Sequence, residues 1–289
     1  LVIVLAYGVA SGKAQRWIQI GSFTIQPSEI MKFSLVILLA LYVERNQNRI
    51  TNYKNFKQSS AYGFFYPFFM ISIVSLLVAL EGHFSGTIII FLIGMVVIFA
   101  AGARKIWFAI GGGSAAVVIL VAILTVDYAK ERIDLWLHPE NYPITGKIWQ
   151  TMQGLYAVGS GGLLGVGLGN SRQKHLYVSA PQNDFIFSII CEELGLIGAV
   201  LVILLFALLV WRGFVIALKA PDTYSSLVVI GIISQVAIQS ILNIAVVTNL
   251  IPNTGISLPF FSYGGSSIIM LLGEMGIVLS ISRYSYQQK

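Results

Sequence analysis

Ionisable side chains set within or beside long apolar runs are the residues of this chain that could do chemistry, because each is costly to keep there without a purpose. They are Glu29, Lys32, Glu81, His83, Asp184, Glu192, Glu193 and Glu274. Asp184, in APQNDFIFSII, stands where a polar segment meets an apolar one. A carboxylate there can accept a proton from a hydroxyl group. The same residue type is a favoured helix N-cap, and the two readings are compatible. Glu29 and Lys32, in QPSEIMK, share one helical face. That spacing suits an ion pair, or one wall of a cavity that binds a charged head group. Arg16, in AQRWIQIG, places a guanidinium beside Trp17. This suits phosphate binding, or anchoring at a membrane interface. Gln235, Gln239 and Asn243 form a polar stripe on an apolar stretch, suited to hydrogen bonds between helices or to lining a cavity. Glu192 and Glu193 fall about two turns into the helix expected after Asp184, where one of them faces the interior. Glu274, in LLGEMG, needs a partner or a neutral state, and the sequence names no partner.

The elements that must position these residues belong in lipid. The chain has 289 residues, 56% hydrophobic and 10% charged, against about 25% charged in ordinary soluble domains. So few charges do not cover a water-facing surface. The net charge of +6 is scattered between apolar runs, the pattern of membrane orientation and not of nucleic-acid binding. The one cysteine, Cys191, forms no disulfide within the chain and reads as a small buried hydrophobe. His83, His138 and His175 are far apart and no zinc-ligand spacing occurs, so no metal site is indicated. The GSGG stretch is neither a Walker loop nor a dinucleotide fingerprint.

Apolar runs fall at about 28–43, 63–80, 85–101, 106–126, 185–211, 223–248 and 264–282, giving seven expected spans. Leu1–Tyr7 is too short to cross a bilayer and reads as the tail of a further span whose beginning is absent. Pro27 and Glu29 suit the first turn of the helix after it. Basic residues orient the threading. With 44–62 cytoplasmic, alternation puts Arg45, Arg49, Lys54, Lys57, Arg104, Lys105, Arg212, Lys219, Arg283 and Lys289 inside. Lys13, Arg16, Lys130, Arg132, Lys147, Arg172 and Lys174 then lie outside, and 127–184 becomes a large extracytoplasmic loop. Its stretch Ile148–Leu168 is apolar enough to suggest another span. Its glycines at 154, 159, 161, 162, 165 and 167 argue against a plain helix, and an extra crossing would spoil the charge pattern. An interfacial or re-entrant segment is expected instead.

In order along the chain come AQRW, QPSE with a following lysine, an acid–HxSGT segment, LHPE, GSGGLLGVGLGNSRQK, PQNDFIF with EELGLIG, and LPFFSYGGSS. This series, from about residue 14 to 283, resembles the SEDS family, the shape, elongation, division and sporulation proteins of the FtsW and RodA type. The resemblance implies an all-α integral membrane protein, a polytopic helical bundle forming a single domain over 1–289. Family members have ten spans, so this chain would hold seven full spans plus part of one. It implies a peptidoglycan glycosyltransferase that polymerises lipid II into glycan strands on the outer face of the cytoplasmic membrane, in cell elongation, division or sporulation. The expected partner is a class B penicillin-binding protein transpeptidase, together with other elongation or division proteins. The family's essential aspartate maps to Asp184, as a general base on an acceptor hydroxyl. Arg16, Glu29 and Lys32 map to substrate-binding positions, as do Ser262 and Ser266 in the last motif. Arg16 and Lys32 would stabilise the departing pyrophosphate. No cofactor is evident, and a divalent cation is compatible with the chemistry without being identified by the sequence. Asn183, Gly82, Asn253 and Glu274 depart from the usual family residues, and none of them removes a proposed catalytic group. The other readings open at this stage are a flippase for lipid-linked precursors and a non-catalytic membrane scaffold for the transpeptidase.

Overall fold

The computed structural model describes residues 1, 4, 9–11, 14–20, 23–125, 133–142, 148–174 and 182–285. Most of the expected helical tail at Leu1–Tyr7 lies outside these residues, as do Lys13, Lys130, Arg132, Lys147, His175 and Lys289. Each of the seven apolar runs is a helix. They are α1 (Pro27–Ile50), α2 (Phe56–Leu80), α3 (Phe84–Ala100), α4 (Lys105–Thr125), α6 (Ile186–Leu218), α7 (Thr223–Val247) and α8 (Gly265–Ser285). Helices α2, α6, α7 and α8 are long and apolar enough to cross a membrane, while α3 is apolar and shorter.

The fold departs from the all-α expectation at its start. Strands β1 (Val9–Ser11), β2 (Ala14–Ile20) and β3 (Phe23–Ile25) form an antiparallel meander. Register pairs Ser11 with Ala14 and Ile20 with Phe23. The run RWIQI is β-branched and aromatic, which favours a pleated, half-buried strand.

The chain divides into two compact units. The first comprises Leu1–Trp107, Leu208–Ile238 and Gly264–Lys289. Its central helix is α1. Pro27 occupies the first turn and Arg49 the last, as the helix dipole favours. The buried stripe runs Glu29, Lys32, Val36, Leu39 and Val43, a helical period that faces α1 to its neighbours α2, α3 and α8. Helix α2 carries a π-helical stretch at Ala61–Phe65, whose Tyr62 carbonyl accepts a hydrogen bond from Tyr42 at 3.0 Å.

The second unit comprises Phe108–Ala207 and Gln239–Tyr263. Its helix α5 (Trp149–Ser160) has 12 residues, about 18 Å of rise, well short of a bilayer crossing. A run of glycine turns follows and packs on α6. Helix α6 is broken at Gly195, where φ is 67° and ψ is −167°. In a continuous helix the N–H groups of Leu196 and Ile197 would donate to the carbonyls of Glu192 and Glu193. Here Leu196 donates to Gly162 at 2.9 Å and Ile197 to Leu163 at 3.2 Å. The carbonyls of Glu192 and Glu193 accept instead from Val166 at 2.9 Å and Gly167 at 3.1 Å. Two irregular stretches thus satisfy each other's main-chain groups, as burial or lipid demands.

A Cβ at 195 would stand 2.4 Å from the Gly165 nitrogen and 2.5 Å from the Leu163 carbonyl oxygen. Gly195→Ala therefore combines backbone strain of about 1–3 kcal/mol with a main-chain clash. We expect a lowered unfolding midpoint in detergent, measured by scanning fluorimetry. A variant as stable as the wild type would contradict the break.

Candidate functional site

The sequence-nominated residues fall in two groups. In the second unit Asp184 lies in the turn before α6. It stands just ahead of Phe185, the residue that precedes the first helical position, Ile186. Asp184 is thus part of the turn that leads into α6.

The main chain around Asp184 is fixed from several directions. Asn243 of α7 is 0% exposed, and its Nδ2 donates to the Asp184 carbonyl at 2.7 Å and to the Ile256 carbonyl at 2.6 Å. Ser262 Oγ donates to the Asn183 carbonyl at 2.7 Å and accepts from the Leu258 N–H at 2.7 Å. The Tyr263 N–H donates to the Gln182 carbonyl at 2.7 Å. Phe185 and Phe187 are buried beneath the turn. Gly255 has φ of 67°, and a Cβ added there would stand 3.2 Å from Asp184 Oδ2. The glycine both permits the turn and keeps that side of the carboxylate uncrowded. Phe260, between these bonded positions, also has a positive φ, 66°. That conformation is unusual for a bulky residue and is held by the bonds on either side.

In the first unit Arg16, Glu29 and Lys32 come together around His83. Lys32 Nζ lies 2.8 Å from Glu29 Oε2, with both side chains buried. Arg16 donates to the Gly82 carbonyl from β2. His83 Nδ1 lies within hydrogen-bond distance of Gln26 Nε2, at 3.2 Å, and of Ser28 Oγ, at 3.3 Å. A Cβ at Gly86 would stand 2.6 Å from the imidazole, so only glycine leaves room for the ring. Burial and the Arg16 charge push His83 down to about 4, Glu29 opposing and Lys32 assisting. Glu81, at the end of α2, is buried, and its carboxylate has no hydrogen-bond partner among the described residues. Burial raises its pKa above the usual carboxylate value, against the pull of Arg16. Ser266 sits in the first turn of α8, with its hydroxyl buried and without a hydrogen-bond partner among the described residues.

Three further contacts were not readable as pairs. Glu274 is buried, and Gln235 Nε2 donates to its Oε2 at 3.1 Å. Glu192 accepts from Ser171 Oγ, from the Arg172 N–H at 3.0 Å and from the Gln173 N–H at 3.4 Å. Glu193 accepts from the N–H groups of Gly169 at 3.0 Å and Ser171 at 3.2 Å, and pairs with Lys174 at 2.9 Å. The signals were present as the glutamine–asparagine stripe, the adjacent acids and GNSRQK. Each joins residues distant in the chain. Among the described residues no group of three or more His, Cys, Asp and Glu side chains is placed to hold a metal.

Comparison with known proteins places this geometry in context. The family model for FtsW, RodA and SpoVE, described as "Cell cycle protein", matches residues 1–287. Stage V sporulation protein E of Bacillus subtilis (strain 168) is 44% identical over 285 residues, which cover 99% of this chain and 76% of that protein. A probable peptidoglycan glycosyltransferase FtsW of Geobacter sulfurreducens (strain DL-1 / KN400) is 38% identical over 283 residues, covering 98% and 74%. Among solved structures, one described as "Structural coordination of polymerization and crosslinking by a peptidoglycan synthase complex" aligns with TM-score 0.79 at 26% identity, covering 99% of this chain and 78% of that one. The rod shape determining protein RodA of Thermus thermophilus aligns with TM-score 0.68 at 26% identity, covering 99% and 74%.

Two outcomes follow from the geometry. Asn243→Ala leaves two buried carbonyls without their donor, a loss of about 2–4 kcal/mol. Asn243→Asp, nearly isosteric, sets a carboxylate against both and should destabilise more, as read by unfolding in detergent. An Asn243→Asp protein matching the wild type would refute the clamp. For His83, the unfolded chain takes up a proton near pH 6.5 and the folded chain only near 4. Stability should therefore fall as pH drops through this window, by up to about 3 kcal/mol, and stay flat above it. A His83→Gln variant should lack this slope in unfolding midpoints measured from pH 7.5 to 4.

Proposed function

The chain belongs to the family of the cell cycle proteins FtsW, RodA and SpoVE, and on that premise we infer that it is a peptidoglycan glycosyltransferase acting on lipid II. The observation that carries the chemistry is the treatment of Asp184. Its main chain is held by Asn243 and flanked by the Ser262 and Tyr263 bonds, while glycine at 255 keeps bulk away from Oδ2. A carboxylate whose backbone is immobilised and whose oxygen faces a glycine is suited to proton transfer.

In the proposed reaction Asp184 takes the proton of the acceptor's GlcNAc 4-hydroxyl. The hydroxyl oxygen bonds to the donor's anomeric carbon with inversion. The bond from that carbon to the lipid pyrophosphate breaks, and the pyrophosphate leaves with the electron pair. Arg16 and Lys32 supply positive charge for such a leaving group. Glu29 orients the Lys32 ammonium through their 2.8 Å ion pair. Ser262 orders the turn that carries Asp184, and Ser266 is assigned to substrate contact. In this reading the seven helices formed by the apolar runs, α1–α4 and α6–α8, cross the cytoplasmic membrane, with Asp184 on the extracytoplasmic side. The likeness to a peptidoglycan synthase complex supports a transpeptidase partner, a class B penicillin-binding protein.

The test is polymerisation of purified lipid II in detergent, with and without the transpeptidase. The wild type should make glycan polymer without any membrane gradient, and Asp184→Asn should lose it by about 100-fold or more while keeping its unfolding midpoint. Asp184→Asn retaining the normal rate would overturn the base. A folded wild type that makes no polymer with its partner would favour a flippase or a scaffold.

A further inference from the structure

The glycine turn that braces α6 points apolar side chains outward. Leu163, Leu164 and Leu168 are 67%, 79% and 76% exposed. Their backbone is well anchored, through the exchange at Gly195 and through the Glu192 and Glu193 carboxylates. The exposure therefore belongs to an ordered feature, and such a cluster beside a span needs a covering medium.

Three observations identify lipid as that medium. First, the turn bonds directly to Leu196 and Ile197, which are exposed and begin a ridge continuing through Val200, Leu201 and Leu204. That ridge recurs every three to four residues on an apolar helix of spanning length, so it is a lipid-facing surface, and the leucines extend it. Second, α6 has 33 residues, about 50 Å, against a hydrocarbon core of about 30 Å. The part from Gly195 to Leu218 rises about 36 Å and spans the core unaided, which sets the break near one edge of the bilayer. Third, the leucines are followed at once by Asn170 and Arg172, both exposed. A guanidinium next to an apolar tip suits the phosphate layer of a membrane surface.

We propose that 162–174 is an interfacial membrane anchor. Leu163, Leu164 and Leu168 enter the boundary between head groups and acyl chains. Arg172 meets lipid phosphate. Glu192 and Glu193 hold the turn in its inserted shape, which fixes the depth of the first turns of α6 relative to the bilayer surface. This anchor does not depend on the reaction assigned to the chain.

The experiment uses the full chain with Cys191→Ala, reconstituted in phosphatidylethanolamine–phosphatidylglycerol vesicles. A nitroxide label is placed by Leu164→Cys, by Leu168→Cys or, as an exposed loop control, by Lys54→Cys. Power-saturation EPR compares collisions with oxygen, which dissolves in lipid, and with a water-soluble nickel chelate. Labels at 164 and 168 should favour oxygen at least fivefold more than the label at 54, at a depth of about 5–10 Å. Nickel accessibility at 164 equal to that at 54 would overturn the anchor, because the turn would then face water. Shielding from both agents would also overturn it, because protein would then cover the turn. Adding Glu193→Gln should reduce the oxygen preference at 164 at least twofold, and an unchanged preference would overturn the role given to that carboxylate.

Discussion

Main-chain polar groups that leave a helix in or beside a bilayer must find partners, and water is not there to provide them. The break in α6 meets that constraint. Four groups that a continuous helix would pair among themselves are released at Gly195, and each is taken up by the glycine turn at 162–167. The turn has few main-chain bonds of its own, among them Gly165 N–H to the Gly161 carbonyl at 2.8 Å. Each irregular stretch is therefore the condition of the other. The glutamates at 192 and 193 extend the same logic to the following residues, accepting from the N–H groups of Gly169, Ser171, Arg172 and Gln173. The loop and the helix that carries Asp184 at its head form one bonded assembly.

The first unit deals with buried charge where the second deals with buried backbone. Lys32 and Glu29 neutralise each other one turn apart. Glu274 is met by an amide from Gln235 and not by a cation. Burial and the Arg16 charge oppose protonation of His83, which Gln26 and Ser28 contact at Nδ1. An ion pair costs desolvation that mutual attraction offsets only with good geometry. A helical (i, i+3) pair supplies that geometry from local structure alone, which is why it was visible as QPSEIMK.

The same distinction explains what could be read from the sequence. The helices were legible because each apolar run is long and uniform, and the Gln235–Asn243 stripe because it has a helical period. Of the glycines at 154, 159, 161, 162, 165 and 167, the first two lie within α5 and the other four follow its end at Ser160. The sheet at 9–25 was not read, although AQRWIQI alternates and glycines stand at 12 and 21. A short β signal beside Leu1–Tyr7 was eclipsed by the helical reading of its neighbour. The role given to Asp184 came from family resemblance, while its spacing alone suggested an N-cap. What stayed hidden were partners. Nothing in a single sequence ties Glu193 to Lys174, Asn243 to the carbonyls of Asp184 and Ile256, or Ser262 to Asn183. Those contacts arise only when distant segments pack.

The Asn243 clamp also has a kinetic meaning. One amide nitrogen supplies both protons, one to each of two loops, and it is carried on the interior of a long helix. Rotation of that side chain removes both bonds at once. The turn at Asp184 and the loop at Ile256 therefore lose this shared restraint together, while the Ser262 and Tyr263 bonds still hold the turn. A cooperative event of this kind belongs to the microsecond-to-millisecond range, slower than the picosecond-to-nanosecond hops of an exposed side chain. Between such openings, the carboxylate and the glycine opposite it behave as a single rigid element.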